Sequence, residues 1–458
     1  MHWLNGTGFV ACPSVLLVAY VGLFGLGLFD GTVFAADSVL ETTTLEQLYV
    51  KGDYQRAVEE ISKLDATASA VPDIRRIKIR SLLRLGNPKE ALAEYDRLER
   101  ALKGDDVQLL REVALGFILI MVKDMREQMR GAAYTALKEW NNADALPILE
   151  DGLSDGSGLI RALVAEGLGK LEEGRHSLRF KQALGDQAAL VKEAVLKGLS
   201  RSSDVSVVGL AEPALKDQEP RVRVAGAAVM CRFGRRIGCD LLRQSARAPN
   251  PDERTSAIRA LIDLGDAKVG PLVLEASGHT QPSVRGAAAA GLAYMPAPEA
   301  LNALIRLIND PLPPVRIAAA VSLGQLRGVD AVSSLKQALK DRDASVRAFV
   351  IGALLAQGER YDLVAVPVRS LATAKEPAVR TAVARALGQA TENNRIEAWS
   401  AVMLLLQDSV PRVRIAAIKS AAKLDGLKAV PILKQGLHDE DDAVRATAGG
   451  GLLQVLKG

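Results

Sequence analysis

The chain has 458 residues, of which 48% are hydrophobic, 24% charged and only 4% aromatic, with a formal net charge of +4. So mild a basic excess over so long a chain is not by itself the footprint of a nucleic-acid-binding protein. An apolar share of this size, rich in alanine and leucine, suffices for a core distributed along a stack of helices.

The first 36 residues contain no Lys or Arg, and Val15 to Phe29 form an apolar run followed by Asp30 and then by Ala35 and Ala36. The pattern fits a secretory signal cut after Ala35 or Ala36, which puts the mature chain in the periplasm or outside the cell. The alternative is a retained inner-membrane tether through residues 15–29, although that run is shorter than the span of about 20 residues a bilayer needs. Cleavage removes one acid, Asp30, and no base, so the formal charge rises to +5.

From about residue 40 to 106 the pattern is helical. Leu48 to Leu64 reads LYVKGDYQRAVEEISKL, Leu83 to Leu98 reads LRLGNPKEALAEYDRL, and Gly52 and Gly86 lie 34 apart. These two units resemble tetratricopeptide repeats, whose period is about 34 residues. Val107 to Lys123 then reads as a transition helix between this part and a longer array.

Over residues 107–458 a basic residue returns every 31 positions, at Arg130, Arg161, Lys192, Arg223, Arg254, Arg285, Arg316 and Arg347, then at Arg380, Arg414 and Arg445 after slightly longer steps. Other positions keep step with it. Three and seven residues after each basic residue the chain is almost always small or apolar, as at Ala319 and Leu323, which places a packing seam on one helical face. Three residues before it stand Pro220, Pro251, Pro282, Pro313, Pro377 and Pro411; proline is tolerated only in the first turn, so it marks where each helix begins. Six before it, eight units carry aspartate, among them Asp155, Asp186, Asp310, Asp341 and Asp439. A second amphipathic stretch, such as Val329 to Lys340, fills out each unit. A hairpin of this size cannot bury its apolar face alone, so the units must stack.

The strings DPLPPVRIAAAVSLGQL (Asp310 to Leu326), DRDASVRAFVIGALL (Asp341 to Leu355) and DSVPRVRIAAIKSAAKL (Asp408 to Leu424) resemble the HEAT-like repeats of bacterial scaffold proteins and phycobilin-lyase-type proteins. The expected fold is all-α: a right-handed α-solenoid of stacked helical hairpins, tetratricopeptide-like and then HEAT- or armadillo-like. The resemblance implies that the recurrent Asp and Arg form a structural ladder, with Arg161, Arg223, Arg285, Arg316, Arg347, Arg414 and Arg445 as rungs.

Chemistry is sparse. His2, His176, His279 and His438 show no metal-ligand spacing, and no P-loop, nucleophile elbow or dinucleotide fingerprint occurs. No His-Glu dipeptide is present, which separates the chain from HEAT-like deoxyhypusine hydroxylases. The reading is therefore non-catalytic, with no cofactor and no metal. From Arg221 to Arg259, nine arginines stand against three acids, and Arg232, Arg235, Arg236, Arg243 and Arg247 form a candidate patch for an anionic partner. Cys231 and Cys239 flank the turn FGRRIG, where antiparallel helices could bring them within disulfide distance; two buried thiols are the plainer alternative. Arg75, Arg76, Lys78, Arg80 and Arg84 make a second basic helix, expected to be a solvated face, and Asp439 to Asp442 an acidic turn, expected to supply capping charge rather than a metal site. Tyr361, Trp399 and the loop Thr391 to Arg395 are further candidate contact points.

The function expected is a scaffold or adaptor that binds a partner protein or peptide on its solenoid surface. Two other readings are a lyase-like chaperone for a tetrapyrrole or its acceptor protein, and nucleic-acid binding through Arg221–Arg259.

Overall fold

The computed structural model describes residues 42–456 apart from 267, 296, 297 and 327. The segment 1–36, read as a signal or anchor, lies outside the described residues. No helix among those described is long and apolar enough to cross a membrane.

Every regular element among the described residues is helical. Residues 42–50 (α1), Tyr54–Lys63 (α2), Pro72–Arg84 (α3) and Pro88–Leu102 (α4) make two hairpins. Their turns pass through Gly52 and Gly86 at φ of 82° and 78°, a left-handed conformation that costs a residue without a Cβ little. Leu45, Ile61, Ile74 and Ile77 form their small core. The basic face of α3, expected to be wet, is instead tied to acids: Arg76 to Asp106 at 2.8 Å, Lys78 to Glu94 at 2.7 Å and Arg80 to Glu112 at 2.8 Å.

After α5 (Val107–Met121) the repeats begin with α6 (Glu127–Trp140) and α7 (Leu146–Gly152). The next unit is α8 (Gly158–Lys170) with the short α9 (Glu172–His176) and α10 (Leu178–Gln182), and then come α11 (Ala189–Leu199) with α12 (Val207–Ala211). There follow α13 (Pro220–Arg232) and α14 (Arg236–Ser245), α15 (Pro251–Asp263) and α16 (Val269–Ala276), and α17 (Pro282–Leu292) and α18 (Pro298–Leu307). The last units are α19 (Pro313–Gln325) and α20 (Val329–Ala338), α21 (Ala344–Ala356) and α22 (Asp362–Ala372), and α23 (Pro377–Leu387) and α24 (Arg395–Leu405). The chain ends with α25 (Pro411–Asp425), α26 (Val430–Leu437) and α27 (Asp442–Val455). Six first helices start on the prolines singled out in the sequence.

The first helices of successive units pack directly on one another, whereas the second helices, such as α16, α18 and α20, scarcely meet. The first helices therefore form the tighter, inner layer and the second helices the spread outer one. The inner layer does not stop at α27. That helix packs against both α6 and α5, so the array closes on itself as a ring of eleven inner helices among the described residues. α5 is more than a transition helix: it lies between α27 and α6, where α24 lies between α23 and α25. The last inner helix thus receives its outer cover from the start of the chain, and one apolar core runs from Ile79 through Phe117 and Leu137 to Leu433, Leu452 and Leu456.

The closing joint repeats the internal ones. A Cβ on Gly352 would meet the Cα of Ala386 at 3.2 Å, and one on Gly450 would meet the Cβ of Ala136 at 2.9 Å; both glycines stand five residues after the unit's basic residue. Ion pairs brace the seam: Lys434 with Glu99 at 2.5 Å and Asp105 at 2.7 Å, Lys419 with Glu139 at 2.7 Å, and Arg126 with Asp442 at 3.0 Å; the His438 ring lies 3.3 Å from Asp96. Burial works against the charge on Lys434, and the Asp105 and Glu99 carboxylates outweigh it, so its pKa is raised. Its ammonium also lies 5.9 Å from the centre of the Tyr95 ring.

The ladder runs around the ring. Each complete rung is a two-point contact from an inner helix to an aspartate of the next unit, as in Arg161–Asp186, Arg285–Asp310, Arg316–Asp341 and Arg414–Asp439, with nearest approaches of 2.7 Å. Arg130–Asp155, Lys192–Asp217 and Arg380–Asp408 belong to the same series. The same arginines donate to carbonyls of their own preceding turn, as Arg316 does to Asp310 and Pro311, and the aspartates accept from N–H groups two residues on. Three rungs lack the aspartate, because Ala248, His279 and Ala374 stand in its place. Arg223 reaches Glu253 at 3.4 Å instead, whereas among the described residues Arg254 and Arg347 bond only carbonyls. Arg445, at the seam, pairs with Asp442 of its own helix.

The rungs at Asp186, Asp217, Asp310, Asp341 and Asp408 hold their carboxyls below the ordinary range. For Asp186, Asp217 and Asp408 the dominant cause is the hydrogen bond from the basic partner; for Asp310 and Asp341, burial opposes ionisation and the arginine and backbone N–H bonds outweigh it. A depressed native pKa contributes stability above the unfolded value and loses it as pH falls through the native one. The unfolding midpoint followed by circular dichroism should therefore be nearly flat from about pH 8 to 5 and collapse below about pH 4. The side chains of Arg316 and Asp341 are 5% and 10% exposed, so Asp341→Ala strands a buried guanidinium and should cost about 3–5 kcal/mol in denaturant melts; a cost below about 1 kcal/mol would remove the ladder from the stability account.

Closure makes a separate prediction. Gly450→Leu and Gly352→Leu wedge apart equivalent joints, so both should lower the melting temperature, but Gly450→Leu alone should open the seam and raise the radius of gyration in solution scattering. Equal radii in the two variants would argue against a closed ring.

Candidate functional site

The inner layer turns one free face toward the middle of the ring. On α13 that face carries Arg221, Val224, Ala225, Ala228 and Arg232, and these line a groove of about 490 Å³ together with residues of α11 and α15. Spacings of three and four residues put them in one stripe. α11 and the turn after it contribute Glu193, Lys197, Ser200 and Arg201, and α15 contributes Ser256, Arg259, Ala260 and Asp263. Small side chains make the floor, and long charged ones make the rim.

The nine arginines between Arg221 and Arg259 do not form one patch. The ladder takes Arg223 and Arg254, through Glu253 and backbone carbonyls. Arg235 and Arg236 lie on the exposed turn into α14, where Arg236 pairs with Asp240 at 3.3 Å. Arg243 is held by Asp266 at 2.5 Å and Asp240 at 3.2 Å, and Arg247 stands 4.0 Å from Glu275. Of the five residues expected from sequence to form an anionic-partner patch, Arg232 lines the groove and the other four lie on the turn or the outer helix. The difference arises from helical phase, since Arg232 ends an inner helix and Arg243 faces α15 from the outer layer.

Within the groove, Lys197 pairs with Glu193 at 2.6 Å and Arg221 approaches the same carboxylate at 3.6 Å. Arg201, Arg232 and Arg259 are exposed and have no carboxylate within 4 Å among the described residues. Elsewhere on the inner face Lys138 pairs with Glu166 and Lys419 with Glu139, Ala290 and Val321 occupy positions equivalent to Arg259, and Arg385 and Lys170 stand singly at positions equivalent to Arg259 and Arg232, exposed and with no carboxylate within 4 Å among the described residues. Lys197 and Arg201 belong to the preceding unit, where local charge density does not mark them. Their signal is their phase, five and nine residues after the unit's basic residue, shared with Arg259 and Arg232.

Other candidates serve the fold. Cys231 and Cys239 are joined, with Cα atoms 4.7 Å apart, where α13 hands over to α14. In the acidic turn, Asp439 receives Arg414, Asp441 caps α27 and Asp442 meets Arg126. In the loop expected to contact a partner, Asn394 is fully buried and donates to the carbonyls of Leu355 and Glu359, and Trp399 packs against two parts of the core. Tyr361 is partly buried against the core. No group of His, Cys, Asp and Glu among the described residues is arranged to hold a metal ion.

No curated protein sequence matches the chain. Among solved structures it is similar to YibA of Escherichia coli (18% identity, 57% of this chain and 95% of that one, TM-score 0.34). It is also similar to the CpcE–CpcF complex of phycocyanin lyase from Nostoc (18%, 57% and 94%, TM-score 0.32) and to Kap121p (13%, 91% and 56%, TM-score 0.37). The pattern described as HEAT repeats matches residues 115–200, 269–355 and 370–452, more than half of the chain. The ladder, the stacked hairpins and this match agree, and the chain belongs to the HEAT-repeat family.

Proposed function

We propose that the chain is a non-catalytic interaction scaffold that holds a segment of another protein against the inner face of the ring. The observation that carries this reading is the groove across α11, α13 and α15, where Arg201, Arg232 and Arg259, exposed and without a carboxylate partner among the described residues, gather around a floor of small side chains. Eleven helix axes about 9 Å apart make a circle roughly 30 Å across, which leaves roughly 20 Å between facing helices. That space admits an extended or helical segment and excludes a folded domain. Closure also favours binding, because a face fixed from both sides needs little ordering when a ligand arrives.

The reading is tested by a photo-crosslinking amino acid placed at Ser256 or Ala290 on the inner face and, as a control, at Ile237 on the outer layer. In the native cells a discrete adduct should form from the inner positions and not from position 237; adducts from position 237 alone would move the binding surface to the outside.

We also propose that the chain works outside the cytosol, a reading supported by the apolar run Val15 to Phe29 and by the cysteine pair, since disulfides persist in oxidising compartments. The intact mass of the native protein should begin at Ala36 or Asp37 and lie two hydrogens below the dithiol form. A mass that includes residues 1–36 with both thiols free would overturn the assignment.

A further inference from the structure

We infer that the occupant of the inner groove is an acidic segment of a partner polypeptide, one that presents separated carboxylates around small or aliphatic side chains. The inference rests on the scaffold reading and goes further by naming the chemistry recognised. Arg201, Arg232 and Arg259 are exposed, lack ion-pair partners among the described residues and surround a floor of Val224, Ala225 and Ala228. Guanidinium groups match carboxylates in two-point contacts, and a floor of small side chains lets a peptide backbone approach closely.

Two features favour a peptide over a nucleic acid. Glu193 and Asp263 sit in the groove among the basic residues, so a continuous phosphate backbone would meet like charge where discrete carboxylates can be spaced to avoid it. The lining contains no aromatic side chain on which bases could stack. Spacing sets the length: from α11 over α13 to α15 the groove crosses two interaxial steps of about 9 Å, roughly 18 Å and the reach of about five extended residues. Beyond α15, the inner face turns apolar at Ala290 and Val321, so the segment should continue into aliphatic residues.

The test is fluorescence anisotropy of the full mature chain with two labelled probes, a glutamate- and leucine-rich peptide and a single-stranded oligonucleotide of comparable length and charge. The peptide should bind in a salt-dependent way. Combining Arg201→Glu, Arg232→Glu and Arg259→Glu should weaken it on the order of 100-fold, and the three Arg→Gln changes on the order of 10-fold. Arg235→Glu with Arg236→Glu, on the exposed turn, should shift it by less than about twofold. Thermal melts of each variant exclude unfolding, and if the Glu triple fails to fold, the Gln triple carries the comparison. No binding of the peptide, equal losses in groove and turn variants, or tighter groove-dependent binding of the oligonucleotide would each overturn the inference. Persistence of the Ser256 and Ala290 crosslinks in the groove variants would leave the scaffold standing and remove only the charge recognition; their absence from the unaltered chain would remove the scaffold reading itself.

Discussion

A stack of hairpins has an end problem. Each inner helix buries one flank against the unit before it and one against the unit after it, so an open array leaves apolar flanks bare unless terminal units are made polar. Here the two ends solve the problem for each other. α27, the last inner helix, packs on α6, the first, and α5 covers the junction from outside. The small residues Gly450 and Ala136 meet there as Gly352 and Ala386 meet inside the array. In an open array, units can fray from either end, because stability is a sum over nearest neighbours. A closed one has no end from which to fray, and loss of either terminus exposes the core of the other. The four hairpin helices α1–α4 sit beside this seam, and α4 and the turn after it take part in holding it, through Glu99 and Asp105 with Lys434.

Much of this was written plainly in the chain. The 31-residue register locates the rungs, the prolines locate the helix starts, and the missing aspartates at Ala248, His279 and Ala374 identify which arginines go without the aspartate of a complete rung. His279 even keeps part of the aspartate's task, its Nδ1 accepting from the Gln281 N–H at 3.1 Å. Closure was not legible, because the joint between α27 and α6 uses the same residue types as every other joint. One signal did exist. α5 (VQLLREVALGFILIM) is apolar around much of its circumference, too much for a helix with a solvated outer face, and Leu109, Val113, Phe117, Ile118 and Met121 are all buried. The inner groove was obscured for a different reason. Charge density along the sequence mixes residues that point into the ring, along the ladder and outward, and only their phase within the repeat sorts them.

The unusual features of the array converge on α13. The two large parts of the apolar core divide there, one taking Val222, Ala225 and Val229 and the other Val224 and Ala227. The ladder weakens there, as it does at Arg347: the joint from α13 to α15 has a single 3.4 Å contact in place of a two-point rung, and at the next joint Arg254 has no carboxylate partner among the described residues. Loss of the aspartates at positions 248 and 279 raises the local positive charge beside the groove that already holds Arg201, Arg232 and Arg259. Rules kept elsewhere in a fold tend to be broken where function requires it. Around the ring most first-turn basic residues are held by the ladder; across α11, α13 and α15 it is arginines outside the ladder, Arg201, Arg232 and Arg259, that gather on the inner face and leave their charge there.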